Sequence, residues 1–242
     1  AKCTEGLMKT FDRGYSEITF SKIACVTGAK EGIIHKEFHL CSADPNLVGL
    51  EKVEIIGQTN FDVADQLADL GMEAIHPKAS KDMEINNIPI RVANAFDPKH
   101  SGTSISTEFK SQEPRVEMVT GRTDLTAIEV WDSDMVGQSG YDARIVNILA
   151  KYDLSYIAKN TNANTITHYI PNSKKIKSAV RDLKECFPTA QIQSTKVAIV
   201  AAIGSNMCFP GFLAKASSAL AASNINILAV DQCMRQVNMQ FI

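Results

Sequence analysis

An arginine-glycine turn runs straight into a helical pattern near the start of this chain, in the segment Asp12-Arg13-Gly14-Tyr15-Ser16-Glu17. The free backbone N–H groups and positive dipole end of a helix start, together with a guanidinium, favour an anionic group such as a carboxylate or phosphate. Plainer roles are also open: Arg13 as a surface arginine in a loop, and Ser16 as an N-cap. A second group of polar side chains follows at His35, Lys36, His39 and Cys41. The spacing of His35, His39 and Cys41 suits metal ligation, but nothing nearby completes a ligand set, so no metal is expected. Asp44-Pro45 reads as a turn, His76-Pro77 as a turn at a helix start, and Met72 as core.

The elements that must position these residues alternate between helix and strand. Residues 18–28 carry a helical pattern with Ile18, Ile23 and Val26 on the inward face, and residues 32–38 read as a strand. Ser42-Ala43-Asp44-Pro45 marks a turn. Thr59-x-x-Asp62 resembles a capping box ahead of Val63, Leu67 and Leu70, with Gly71 as the helix stop. Residues 88–93 form a further strand, leading to Asp97-Pro98 and Ser101-Gly102-Thr103. This alternation predicts a parallel α/β lobe.

The second half is organised as a repeat. Residues 125–170 and 196–241 match at a constant offset of 71 positions, which carries Gly140-Tyr141 to Gly211-Phe212, Leu149 to Leu220, Asp153 to Asn224 and Leu154 to Ile225. An ungapped offset through several elements means two copies of one supersecondary unit. Each copy reads strand (126–131, 197–203), helix (141–152, from 212), strand (154–158, 225–230) and alternating strand (165–170, 236–241). Ile145, Ile148 and Leu149 line the first helix; Phe212, Leu213, Ala216 and Leu220 line the second. In the first copy a helix over 173–186 follows, N-capped by Ser173 and with Ile176, Val180 and Leu183 inward. Its counterpart would begin at about position 244, beyond Ile242, so the chain reads as a fragment whose second unit is truncated. The order βαββα is completed to a ferredoxin-like βαββαβ unit by the strand at 190–194 or by a partner segment.

Composition narrows the function classes. The 242 residues carry a net charge of −2 and a pI near 6.2, with no basic footprint for nucleic acid. No apolar run approaches a membrane span, and no signal peptide is visible. Six cysteines, scattered without a CxxC pair, fit reduced thiols in a cytoplasmic protein.

Taken in order, Asp12-Arg13-Gly14-Tyr15-Ser16-Glu17, Ala43-Asp44-Pro45, Gly71-Met72-Glu73-Ala74-Ile75-His76-Pro77, Asn87-Ile88-Pro89-Ile90, Asp97-Pro98 and Gly102-Thr103 resemble the motifs of aspartate kinase. That family carries GRGGSD-, TTDPR- and GAKVLHP-type motifs, then an NIP strand and a DP-GT ending, followed by two ACT units. The Arg-Gly-Tyr-Ser-Glu form is similar to the kinases associated with ectoine synthesis. The resemblance covers nearly the whole chain. It implies a partial three-layer amino-acid-kinase lobe over 1–110, an ACT unit over 111–195 and an incomplete second unit over 196–242.

The implied chemistry is phosphoryl transfer from MgATP to the side-chain carboxylate of aspartate, resting on positioning and charge neutralisation. Arg13, Ser16 and Glu17 would hold the substrate, with Glu17 standing where the family has Asp. His35, Lys36, Cys41, Asn46, Glu73 and Ala74 fall on the nucleotide side. Several depart from the pattern: His35-Lys36 replaces Thr-Asp, Cys41 replaces Tyr, Asn46 replaces Arg, and Glu73 replaces Lys. Lys36 and Glu73 reverse two charges at once, as expected of an ion pair with its ends exchanged. The family's phosphate-contacting lysine and a substrate-binding Glu precede residue 1, so this piece alone should not turn over.

An amino-acid effector would lie at Met135, Gln138, Gly140, Tyr141 and Ile157. Ile157 stands where lysine-inhibited relatives have an Asp that takes the effector's amino group; an isoleucine cannot accept that bond, so weak or absent lysine inhibition is expected. A homodimer through the ACT units is also expected. The competing reading is a stand-alone ACT-type small-molecule sensor without kinase activity, in which residues 1–110 only support the ACT pair.

Overall fold

The computed structural model describes residues 15–72 and 74–242. The described residues divide into two compact units: those within 15–120 with 202–213 and 233–238, and residues 121–201 with 214–232 and 239–242.

The first unit opens with α1 (Tyr15–Thr27), then β1 (Gly32–Lys36), the short α2 (Pro45–Val48), β2 (Gln58–Asn60), α3 (Phe61–Asp69), α4 (Pro77–Ile85), β3 (Ile90–Asn94) and β4 (Thr103–Ser106). The sheet order is β1-β3-β4-β2. β1 pairs with β3 and β2 with β4 in parallel, but β3 and β4 are antiparallel. The sheet is therefore mixed rather than parallel throughout. Residues 95–102 are too few for a crossover helix, so β4 must return alongside β3. Gly102 makes the tight return possible: its φ is +74°, and a Cβ there would lie 2.3 Å from the Val92 carbonyl oxygen.

Phe61, Val63, Leu67, Met83, Ile90 and Ile105 form the buried interior of this unit. α3 is capped by Asn60, whose Oδ1 accepts from the Val63 N–H at 3.0 Å, and not by Thr59 as the sequence suggests. Thr59 sits in β2, and its hydroxyl serves Glu117 instead. The inward face of α1 also differs from expectation. Ile23 and Val26 are exposed, whereas Ser21 and Ala24 are buried. Small side chains let α1 approach α4 closely, and the Ser21 hydroxyl finds the Ile18 carbonyl at 2.9 Å, so its burial leaves no unmet donor.

The second unit is built on a six-stranded sheet with helices α5 (Tyr141–Lys151), α6 (Ile176–Cys186) and α7 (Phe212–Ala222). Its strands are β5 (Met118–Trp131), β6 (Ala158–Thr161), β7 (Thr165–Pro171), β8 (Gln191–Ile203), β9 (Val230–Gln232) and β10 (Asn238–Phe241), in the order β6-β7-β5-β8-β10-β9. Ile128, Val130, Ile145, Leu149, Ile166, Ile170 and Leu183 form its principal core.

α5 and α7 obey the 71-residue offset at both ends. The strands expected at 154–158 and 225–230 start later, at Ala158 and Val230, and the reason is the same in both copies. Asp153 and Asn224 adopt left-handed φ of 55° and 56°. The next N–H groups, on Leu154 and Ile225, reach back to the carbonyls of Leu149 and Leu220. Leu154 and Ile225 are thus the closing residues of helix C-terminal motifs, not strand starts. The second helix is also less covered than the first: Phe212 is buried, but Leu213 is 47% exposed. α6 begins at Ile176, and Ser173 accepts from the Lys175 N–H just ahead of it.

Candidate functional site

Three elements of the first unit meet at the carboxylate of Glu17. β1 alternates its side chains, so Gly32, Ile34 and Lys36 share the more covered face while Ile33 and His35 are exposed on the other. Gly32 is where α1 and α4 press on the strand: a Cβ there would lie 2.3 Å from the Phe20 ring and 2.7 Å from the Met83 methyl. This packing carries the first turn of α1 over the end of β1, and Lys36 Nζ lies 2.8 Å from Glu17 Oε1. The other oxygen of Glu17 accepts from the backbone N–H of His76 at 2.5 Å. His76 is the N-cap of α4, with Pro77 next and its own Nδ1 accepting from the Lys78 N–H at 3.2 Å. One carboxylate therefore ties an ammonium at the C-terminal end of a parallel strand to the starts of two helices. Both groups are largely covered, Lys36 at 26% and Glu17 at 19% side-chain exposure.

The other expected residues distribute unevenly around this cluster. Ser16 is exposed in the first turn of α1, inside the helix rather than capping it. His35 is exposed on the opposite face of β1. Cys41 is buried, its thiol 3.4 Å from the His39 carbonyl and its pKa pushed up by burial. Asn46 lies exposed in α2, where its N–H meets the Asp44 side chain at 2.8 Å. Ala74 is buried. Arg13 and Glu73 lie outside the described residues. Lys36 is paired with Glu17, which was not the partner expected for it. The role of the His76 backbone carries no sequence signal, because a backbone donor does not depend on residue type. Nearby, His39 Nε2 lies 3.2 Å from Asp97 Oδ2, with the His100 ring edge-on at 4.5 Å. Among the described residues no group of three or more His, Cys, Asp or Glu side chains is placed to hold a metal.

In the second unit, the loop before α5 closes around Asp132. That buried carboxylate accepts from the Asp134 N–H at 3.0 Å, the Tyr141 hydroxyl at 2.8 Å and the Thr189 hydroxyl at 3.2 Å. These bonds, the backbone one foremost, hold it below the usual carboxylate range. Burial and Asp132 together push the Tyr141 hydroxyl up. Met135 is buried beneath this loop, the Gln138 N–H bonds its carbonyl at 3.1 Å, and Gly140 starts the helix with φ +77°. Ile157 is half-buried and donates its backbone N–H to the Tyr169 carbonyl at 2.9 Å.

The cluster beside it carries no signal in the sequence pattern. Asp142, in the first turn of α5, binds Lys159 Nζ at 2.6 Å and stands 3.5 Å from the buried ring of His168. Asp142 reads simply as an acidic residue in a first helical turn, and His168 as one member of an alternating strand.

No protein-family model matches the chain. It is 53% identical over 241 residues to aspartate kinase Ask_Ect of Stutzerimonas stutzeri (strain A1501), a match covering 99% of this chain and 51% of that protein. Its fold is similar to that of Clostridium acetobutylicum aspartate kinase (TM-score 0.83, 22% identity, 96% of this chain and 55% of the other). It is also similar to Escherichia coli aspartokinase III solved with aspartate and ADP in the R-state (TM-score 0.80, 20% identity, 95% and 52%). The chain is thus strongly homologous to aspartate kinases along almost its entire length, and it spans about half the length of the curated relatives it matches. Among the described residues no helix is long and apolar enough to cross a membrane.

Proposed function

We propose that this chain is the C-terminal part of an aspartate kinase of the ectoine-associated subgroup: the end of the catalytic lobe followed by two ACT-type regulatory units at 111–195 and 196–242. The complete enzyme transfers the γ-phosphoryl group of ATP, bound as its Mg2+ complex, to the side-chain carboxylate of L-aspartate. The observation that carries this reading is the 53% identity over 99% of the chain. The Glu17–Lys36–His76 cluster supports it, because two helix starts and an ammonium at the end of a parallel strand form a place for phosphate oxygens. In this reading Arg13 and Ser16 hold the aspartate, and Lys36 and Ala74 lie on the nucleotide side, with His35, Cys41, Asn46 and Glu73 around them.

The sheet order supports the regulatory assignment. Within the first repeat the strands lie in the order second, third, first, fourth (β6-β7-β5-β8), which is that of a ferredoxin-like βαββαβ unit. An effector carboxylate would meet the loop bearing Met135, Gln138, Gly140 and Tyr141. Ile157 offers no side-chain acceptor for an ammonium there, so lysine inhibits weakly or not at all. The ACT pair then serves assembly as a homodimer, or a different effector, in a cytoplasmic enzyme.

The test is a hydroxylamine-trapping assay on the full-length protein. We expect β-aspartyl hydroxamate whose formation depends on both aspartate and ATP. ATP turnover that ignores aspartate, or requires another amino acid, would overturn the assignment.

A further inference from the structure

We propose that the helix-free face of the second unit's sheet holds a singly charged metal cation, Na+ or K+, between Asn160, Asp231 and Gln240. The site is built by strands of the second unit and stands whichever reaction the complete enzyme performs.

The pleat of the strands assembles it. β6 and β9 are the two ends of the strand order, yet they lie against each other, so the sheet curls back on itself. In β7, Ile166 and Ile170 belong to the core beneath α5 and α6, which puts Thr167 and Tyr169 on the opposite face. Asn160 stands opposite Thr167 and shares that face. Asp231 stands opposite Gln240 across β9 and β10. These are the same two positions written twice: Asn160 and Tyr169 of the first copy become Asp231 and Gln240 of the second at the 71-residue offset. The curl brings the two pairs together. Asn160 Nδ2 donates across the seam to the Val230 carbonyl at 3.3 Å, and Tyr169 feels the charge of Asp231.

What this face lacks is positive charge. The bond to Val230 fixes the Asn160 amide, because only its nitrogen can donate to a carbonyl, and leaves Oδ1 turned away. That oxygen is buried and has no hydrogen-bond partner among the described residues. Gln240, 6% exposed, is in the same state at Oε1. Asp231 is half-buried and forms no ion pair among the described residues. Burial first, then the negative charges of Glu129 and Asp231, push the Tyr169 hydroxyl up to about 12.

Unpaired buried acceptors are costly, and two of them beside a carboxylate compound the cost. A hard cation relieves all three, since carboxylate and amide oxygens are its natural ligands. The charge of the ion follows from the ligands. Glu129 is engaged by Gln193 Nε2 at 2.6 Å, so one unengaged carboxylate remains, and a single positive charge neutralises it. Such an ion ties β6 to the β9–β10 pair and closes the curl of the sheet.

The experiment melts the full-length protein in KCl, NaCl or N-methylglucamine chloride at equal ionic strength, as wild type, Asp231→Asn and Gln240→Leu. We expect the regulatory units of wild type to gain about 3 to 6 °C, saturably, once K+ or Na+ exceeds its dissociation constant tenfold. N-methylglucamine, too large for the site, should give no such gain, and both variants should lose it. Where K+ acts, crystals carrying Rb+ in its place should show an anomalous peak between Asn160 Oδ1 and Gln240 Oε1. If Gln240→Leu does not fold, the near-isosteric Asp231→Asn carries the comparison. A gain of equal size in wild type and Asp231→Asn is a general salt effect and overturns the proposal. So do a wild type indifferent to both ions, a response to Mg2+ or Ca2+ alone, and an anomalous peak found only elsewhere.

Discussion

His168 should make the second unit acid-sensitive well above the pH at which carboxylates protonate. The residue sits in β7 opposite Ile128 of β5 and Lys159 of β6, with no exposed surface. Neither ring nitrogen has a hydrogen-bond partner. Asp142 Oδ1 is 3.5 Å away, already engaged through its other oxygen by Lys159, and the Tyr156 ring stands edge-on at 5.0 Å. Burial dominates over the attraction of Asp142 and, helped by repulsion from Lys159, lowers the pKa from the ordinary 6.5 to about 4.

The sign follows directly. The unfolded chain binds a proton near pH 6.5, while the folded chain refuses it until about pH 4. The contribution is complete above 6.5 and is lost as pH falls from 6.5 towards 4. At ~1.4 kcal/mol per pH unit the full effect is about 3 kcal/mol, of which about 2 kcal/mol is gone by pH 5.

The assay is urea denaturation followed by the fluorescence of Trp131, the single tryptophan, which pairs with Thr165 in the same sheet. Wild type and His168→Leu share every other titrating group, so the difference between their stability-versus-pH curves isolates the histidine. We expect that difference to change by about 2 kcal/mol between pH 7 and pH 5, with His168→Leu the less acid-sensitive. Curves that run parallel over this range would refute the reasoning.

Two further outcomes test packing and polar burial. Glu117, 5% exposed, accepts from the Thr59 hydroxyl at 3.0 Å and from both the N–H (3.1 Å) and hydroxyl of Ser205. Glu117→Gln keeps one acceptor oxygen for Ser205 and turns the other into an NH2 donor, to which the Thr59 hydroxyl can switch to accept, and should cost about 1 kcal/mol by calorimetry, whereas Glu117→Ala strands buried donors and should cost about 3 to 5 kcal/mol. Leu149 and Leu220 occupy equivalent positions in the repeat, but Leu149 is 1% exposed and Leu220 is only half-buried. In this chain Leu149→Ala should cost about 2 to 5 kcal/mol and Leu220→Ala less than about half of that, both read from denaturant midpoints.

The legible parts of this fold were those written in period and offset. Val63, Leu67 and Leu70 are buried as their helical spacing demands, and Gly71 ends that turn with φ +85°. The 71-residue repeat located α5 and α7 because Phe212 and Leu220 stand where Tyr141 and Leu149 stand in the first copy, although α7 buries only Phe212. What failed were features decided by a neighbour rather than by local pattern. Leu154 and Ile225 looked like strand starts because both are apolar and follow a helix, yet the left-handed residue before each makes it a helix-closing residue. Ile23 and Val26 looked like an inward face, but α4 selects the small side of α1. The site shows the same division. Glu17 and Lys36 were both suspect from motif position, while the bond that joins them depends on which face of β1 the pleat assigns to Lys36.

The strand order explains why the first repeat could be completed in two ways on sequence grounds. Reading β6-β7-β5 and β9-β10-β8, each copy places its second, third and first strands in that order, and the two first strands meet at the centre of the sheet. They run antiparallel and close: a Cβ on Gly121 would lie 2.4 Å from the carbonyl oxygen of Ile199. β8 is 13 residues long and β5 is 14, each more than twice the ~5–6 residues of a usual strand. Such length lets one end of β8 lie beside β5 as the closing strand of the first copy while the other end opens the second. The strand at 190–194 and the start of the second copy are therefore one continuous element. No linker separates the copies, because a break in β8 would cost both of them a strand.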